Sequence, residues 1–163
     1  MTLTHTAKVH NFLAGMDEAQ IARLTATAKE VDFNENELIL SAQERSKYFY
    51  LLLSGSVCVE VSAKSFVVCV QALGPGEAFG WSALLDHHDT LFQVRAREHC
   101  RALCIDARDL SAILKRDPEL AAEVLRRALE LAAQRIQATE ARLAELCGVP
   151  MAKNSNNRRT SSR

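Results

Sequence analysis

The segment Gly80-Trp81-Ser82-Ala83-Leu84-Leu85 is where backbone and side chains together could do chemistry. It lacks the alternation of the runs around it and reads as a short helical turn opened by glycine. The first backbone N–H groups of such a turn have no carbonyl behind them and suit a phosphate or another anion. Trp81 either offers an aromatic wall to a flat or apolar ligand or fills the space itself. Arg95 and Arg97 could serve as anion ligands, but two residues apart on a strand they share one face. That face is expected to be the solvent face, opposite Val94 and Ala96. His87-His88-Asp89 is the most tempting metal or haem cluster. No second cluster with ligand spacing accompanies it and CxxCH is absent, so no metal site is expected there, only an exposed polar loop. With no nucleophile elbow, P-loop or HExxH, the sequence is not that of an enzyme.

The five cysteines, Cys58, Cys69, Cys100, Cys104 and Cys147, are odd in number and form no CxxC pair. The sequence predicts reduced, buried small hydrophobes, with Cys100 and Cys104 on one face of a strand. The start of the chain lacks the basic and apolar regions of a signal peptide, and no apolar run approaches the ~20 residues needed to span a bilayer. The expectation is a cytoplasmic protein with no membrane association. Across 163 residues, Lys plus Arg (20) equals Asp plus Glu (20). From Gly148 onward there are bases (Lys153, Arg158, Arg159, Arg163) and no acid, which leaves a mildly acidic body, poorly suited to DNA phosphates.

These residues need a scaffold, and the hydrophobic period supplies one. Asp17 to Lys29 has Ile21, Leu24 and Ala28 at helical spacing, with Asp17 as cap. The period then changes to 2, with strand-like runs at Val31, Leu38, Lys47, Ser56 and Ser65, and at Phe92–Arg97 and Arg101–Ile105. Turn residues separate them, including Asn34-Glu35-Asn36, Ser54-Gly55 and Gly74-Pro75-Gly76. Short strands in succession without helices between them indicate an antiparallel sandwich or jelly roll. Beyond Asp106 the chain is helical: a short helix over 107–115, then a long one from Pro118 to Cys147, stopped by Gly148 and Pro150.

Along the long helix, Leu125, Leu129, Ala132, Ile136, Thr139, Leu143 and Leu146 step by 4 and 3 in a seven-residue repeat. Arg135 and Glu140 flank that seam with opposite sign. A rod of ~45 Å is longer than a small barrel can cover, so homodimerisation through this seam is expected. The predicted organisation is an N-terminal arm (1–10), a jelly roll (11–117), the dimerisation helix (118–147) and a disordered basic tail (148–163).

The stretches YFYLLLSGSVCVEV, LGPGEAFG, WSALL, VRARE and ALCIDARDLSAILKRDPELAAEVLRRAL, in this order and spacing, resemble the cyclic nucleotide-binding domain family. More narrowly, they resemble the sensor domain of catabolite-activator-type (Crp/Fnr) regulators. The resemblance runs from about Phe12 to Leu146. It implies a mainly β fold with flanking α: a double-stranded β-helix (jelly roll) of about eight strands, then a long dimerisation helix, with the glycine-led turn as a phosphate-binding cassette.

On that alignment the family's nucleotide binders place Glu after the cassette glycine, for the ribose 2′-hydroxyl, and Arg about nine positions later, for the cyclic phosphate. This sequence has Trp81 and Thr90. Removing one of the pair would leave an unpaired charge; removing both leaves a neutral pocket. Loss of the charge-assisted phosphate contact weakens binding by roughly 10–150-fold. A cyclic nucleotide is thus the cofactor the resemblance implies, without its usual determinants. The resemblance makes Gly80, Trp81, Ser82, Ala83, Thr90 and Leu91 the candidate ligand-binding residues. It adds Thr139, where the family offers a threonine to the base across the dimer. Glu77 lies where the family carries an acidic turn residue, and a solvated turn is its expected role.

The expected function is a stand-alone sensory or regulatory domain that signals through the dimer helix to a partner. The alternatives are a ligand-free dimeric scaffold or a haem or redox sensor of the same fold. Since the family's helix-turn-helix would follow the long helix, and only a short tail does, no direct DNA binding is expected.

Overall fold

The computed structural model describes residues 10–62, 64–85 and 91–148. Among these residues, eight strands form two four-stranded antiparallel sheets. They are β1 (Lys29–Phe33), β2 (Leu38–Leu40), β3 (Tyr48–Ser54), β4 (Val57–Ser62), β5 (Val67–Leu73), β6 (Ala78–Phe79), β7 (Phe92–Ala96) and β8 (Cys100–Asp106). One sheet has the order β1-β8-β3-β6, the other β2-β7-β4-β5. Three α-helices complete the fold: α1 (Glu18–Leu24), α2 (Ala107–Arg116) and α3 (Pro118–Leu146). This is the jelly roll with a long C-terminal helix that the sequence predicts.

The continuous apolar run of β3 follows from burial on both faces. Phe49 and Leu51 point into a layer with Leu13, Leu24, Leu110, Leu120 and Val124 from the N-terminal and helical segments. Tyr50 and Leu52 point the other way, between the sheets, with Val57, Val59, Phe79 and Val94. Strand β8 alternates in the same manner, Leu103 and Ile105 to the helices and Cys100, Ala102 and Cys104 to the sandwich. Desolvation raises both thiols, Cys104 up to about 11, which suits inert packing residues.

Two expectations need correction. Helix α1 starts as predicted, with Asp17 and Gln20 in a reciprocal capping box, but ends at Leu24. The Thr25 hydroxyl donates back to the Ile21 carbonyl at 2.8 Å, a turn follows, and Lys29 already begins β1 opposite Cys104. Ala28 is buried all the same, so apolar spacing could not separate a longer helix from a helix with a packed turn. The second correction is that Cys58 and Cys69 are not reduced thiols but a disulfide, Cα–Cα 6.0 Å. Cys58 faces Ala72, and Glu60 faces Cys69 after a bulge, which brings both cysteines to the outer face of the β4–β5 pair. Cys100, Cys104 and Cys147 remain free.

Helix α3 is fixed at its start. The Asp117 carboxylate accepts from Leu120 N–H at 3.0 Å, and Pro118 takes the first turn. Arg127 then donates to the carbonyls of Phe12 (2.5 Å) and Ala14 (2.7 Å) while pairing with Glu123 at 2.6 Å. Leu120, Val124 and Ala128 bury this half of the helix. Among the described residues, no helix is long and apolar enough to cross a membrane.

Candidate functional site

Gly80 joins β6 to a 3-10 turn, Trp81–Leu84. It has φ +80°, and a Cβ there would stand 2.5 Å from the Tyr48 carbonyl oxygen, so both conformation and space demand glycine. The Ala83 N–H donates to the Gly80 carbonyl at 2.9 Å, closing the turn. Arg45 reaches the Ala83 carbonyl at 3.4 Å from the β2–β3 connection. Tyr50 stacks on Phe79 with centroids 4.8 Å apart, giving the turn a firm aromatic floor.

Behind Gly80 lies a cavity of about 50 Å³, walled by Leu40, Val59, Phe79, Gly80, Trp81, Ser82, Phe92, Val94 and Arg135. Of the predicted site residues, Gly80, Trp81 and Ser82 line it. Trp81 does so half-buried, packed against the helical-layer core, and Ala83 is buried in that same core. Leu91 is exposed and outside the wall. The Thr139 hydroxyl donates to the Arg135 carbonyl at 2.8 Å, within its own helix, and does not reach the cavity. Thr90 lies outside the described residues, as do His87, His88 and Asp89. Among the described residues, no group of three His, Cys, Asp or Glu side chains is placed to hold a metal.

The residue that sequence reasoning missed is Arg135. Read in the heptad, it flanks the predicted seam. In the fold it also continues the barrel-facing stripe that runs Leu120, Val124, Ala128, Leu131, and that stripe carries it over the Trp81–Leu84 turn. The neutral-pocket expectation is therefore corrected: a guanidinium from α3 lines the cavity. Its Nε and Nη1 are buried with no hydrogen-bond acceptor among the described residues. Desolvation lowers its pKa to about 10, with the charge of Glu77 acting in the opposite sense. Glu77 itself accepts from Gly74 N–H at 2.7 Å and so stabilises its own turn.

Arg95 is not a substitute ligand. On the outer face its Nε meets the buried Glu60 carboxylate at 2.8 Å, and Gln93 donates to the same oxygen at 2.6 Å. Its Nη1 donates to the Asn36 carbonyl at 2.9 Å. A second hollow of about 210 Å³ adjoins the first at Leu40 and Ser82. A third hollow, about 960 Å³, is a surface groove between Glu44–Tyr48 and α2 with both carboxylates and cations on its walls.

This geometry agrees with what the chain is similar to. The cyclic nucleotide-binding domain profile matches residues 30–117, more than half of the chain, and the chain belongs to that family. No curated protein sequence matches at a significant level. Among solved structures, a cyclic nucleotide-binding protein from Geobacter metallireducens superposes with TM-score 0.72 at 21% identity, over 83% of this chain and 99% of that one. A c-di-GMP-responsive global regulator of Xanthomonas campestris gives 0.71 at 18%, over 82% and 66%. The regulatory subunit of a cAMP-independent protein kinase A from Trypanosoma brucei gives 0.67 at 20%, over 89% of this chain and half (50%) of that one. At these identities the likeness is one of fold.

Proposed function

We infer that this chain is a sensory or regulatory domain with an atypical cassette, in which α3 carries the state of the cavity to a dimer interface and from there to a partner. The observation that supports this reading is the double duty of α3. One face contributes Arg135 to the cavity wall, while the other leaves Leu129, Ile136, Leu143 and Leu146 exposed at heptad spacing. A ligand that holds α3 differently against the barrel would shift the population of dimer geometries. Similar folds serve a c-di-GMP-responsive regulator and a cAMP-independent kinase subunit, so the scaffold suits regulation by varied inputs. Native mass spectrometry of freshly purified protein tests the reading: a dimer, with or without a co-purified small molecule, supports it, and a monomer at all concentrations overturns it. Cyclic AMP titrated by calorimetry is expected to bind weakly or not at all, because Trp81 stands where the ribose carboxylate belongs; micromolar affinity would overturn the atypical cassette.

A second reading, a ligand-free dimeric scaffold, is favoured by the size of the cavity. Sites for drug-sized ligands run to roughly 300–1,000 Å³, and about 50 Å³ is far below that. Trp81→Ala separates the two. A scaffold loses about 2–3 kcal/mol of stability from a half-buried aromatic and nothing else; a sensor also loses its response to ligand.

A further inference from the structure

On the outer face of the β2-β7-β4-β5 sheet, a groove of about 410 Å³ has the Cys58–Cys69 disulfide in its wall, beside Glu35, Glu60, Arg95 and Arg97. That volume falls within the roughly 300–1,000 Å³ of small-ligand sites. The two cysteines are not equivalent. Cys58 is 4% exposed, whereas Cys69 is half-buried, so an incoming thiolate reaches Cys69 first and Cys58 leaves. Arg95 lies opposite Cys58 in the β4–β7 register, on the same face, where its charge stabilises a departing thiolate. A better leaving thiol speeds exchange. Cys58 is in register with Ala72 and Cys69 with Glu60, so the bond crosses the bulge between Val59 and Glu60. The ladder on either side of that bulge holds the strands in place when the bond opens. The charges of the groove sort its ligand. Glu60 is neutralised by Arg95 at 2.8 Å. That leaves Arg97 and Glu35, both exposed and of opposite sign. A thiol that carries both a carboxylate and an ammonium group matches this pair, and a plain alkyl thiol matches neither.

We propose that this groove is a thiol–disulfide exchange site for a small zwitterionic peptide thiol, with Cys69 as the sulfur attacked and Cys58 as the leaving group. The incoming thiolate forms a bond to Cys69 Sγ as the Cys58–Cys69 bond breaks. Cys58 departs as a thiolate and takes up the proton that the ligand's thiol gave up. A second thiolate then attacks the ligand sulfur of the mixed disulfide, which releases Cys69 and a small-molecule disulfide. Two electrons pass in all from the small thiols to the protein's sulfurs. The site is separate from the cavity behind Gly80 and goes beyond the sensory reading above. It is a chemical input of its own, because β5, which bears Cys69, also packs against α3.

The test starts from oxidised protein carrying Cys147→Ser, which removes the exposed free thiol and leaves the groove untouched. Reduced glutathione and mercaptoethanol are added at equal thiolate concentration, and acid-quenched samples are read by intact mass and peptide mapping. One glutathione adduct per chain is expected, on Cys69, forming several-fold faster than the mercaptoethanol adduct. Arg97→Gln with Glu35→Gln should level the two rates, and Arg108→Gln, on α2 and outside the groove, should leave their ratio unchanged. Cys58→Ser has no thiol to displace the adduct, so glutathione disulfide should load Cys69, releasing one glutathione thiolate, and the adduct should persist. Fully reduced protein should stay folded, with Tm lower by several degrees. Free thiols at Cys58 and Cys69 after oxidation, adducts that form only in denaturant, attachment at Cys58, or rates indifferent to Arg97→Gln with Glu35→Gln would each overturn the proposal. None of these outcomes bears on the dimer or on the cavity, so the sensory reading survives them. Should Cys58→Ser fail to fold, the comparison of the two thiols decides alone.

Discussion

His10 sits buried where the chain enters the 3-10 turn Asn11–Leu13, and its Nδ1 accepts from Phe12 N–H at 3.2 Å. Burial lowers its pKa, an effect only partly offset by the nearby carbonyls of Glu77 and Leu52. The folded state therefore favours neutral histidine, and on acidification the unfolded chain takes up its proton first. Stability should be full above the ordinary histidine pKa near 6.5 and fall as pH drops through it toward the lower folded value. His10→Asn keeps a capping acceptor without the titration. Urea midpoints at pH 7.5 and 5.5 should thus diverge in wild type and converge in the variant; equal slopes in both would remove His10 as the cause. At this scale Gly80 was legible from the sequence because a glycine opening a non-alternating segment has few other uses. Arg135 was not, because residue 135 belongs to two stripes of one helix, and only the angle at which α3 crosses the barrel decides which stripe claims its side chain.

The elements divide by how much of their cause is local. Strands β4 and β7 alternate in residue type, with Val57, Val59 and Val94 turned into the sandwich, and α3 begins and ends at its Asp117-Pro118 and Gly148 signals. Strand β6 is two residues long, Ala78–Phe79, held by pairing with Tyr50 and Leu51, and no periodicity could reveal it. The disulfide likewise depends on a bulge that shifts β4 against β5, which spacing along the chain does not encode. The β6-to-turn junction gives a prediction of its own. A methyl at residue 80 would meet the Tyr48 carbonyl at 2.5 Å in a left-handed backbone, whereas at Gly148, φ +68°, nothing lies within 4 Å. Gly148→Ala should cost about 1 kcal/mol from conformation alone. Gly80→Ala should cost about 2–3 kcal/mol, since backbone must move as well. Chemical denaturation of both variants isolates the steric part; equal losses would mean the junction yields freely.

The molecule as a whole is a barrel with half of a helix left over. At 1.5 Å per residue α3 is roughly 44 Å long, yet its buried residues, Leu120, Val124 and Ala128, all lie in the first half. Beyond them Leu129 is 70% exposed, Ile136 58%, Leu143 60% and Leu146 66%, an apolar line that water does not tolerate well at heptad spacing. A second copy of α3 is the surface that matches its period, and the flanking charges do not oppose it: Arg126 is held by Glu123 and Glu130, and Arg142 by Glu145, within the same helix. Arg135, turned to the cavity, is the exception, and its choice between the cavity and Glu140 of a second copy is where ligand and assembly would meet. If the seam forms, Tm must rise with protein concentration, because unfolding then includes dissociation. Leu129→Asp with Ile136→Asp should abolish that dependence and give a monomer by sedimentation, while the far-ultraviolet spectrum of the barrel persists, since neither residue belongs to either core. A wild-type Tm independent of concentration from micromolar upward, or a double variant that still dimerises, would place the interface elsewhere and cut the route from cavity to partner.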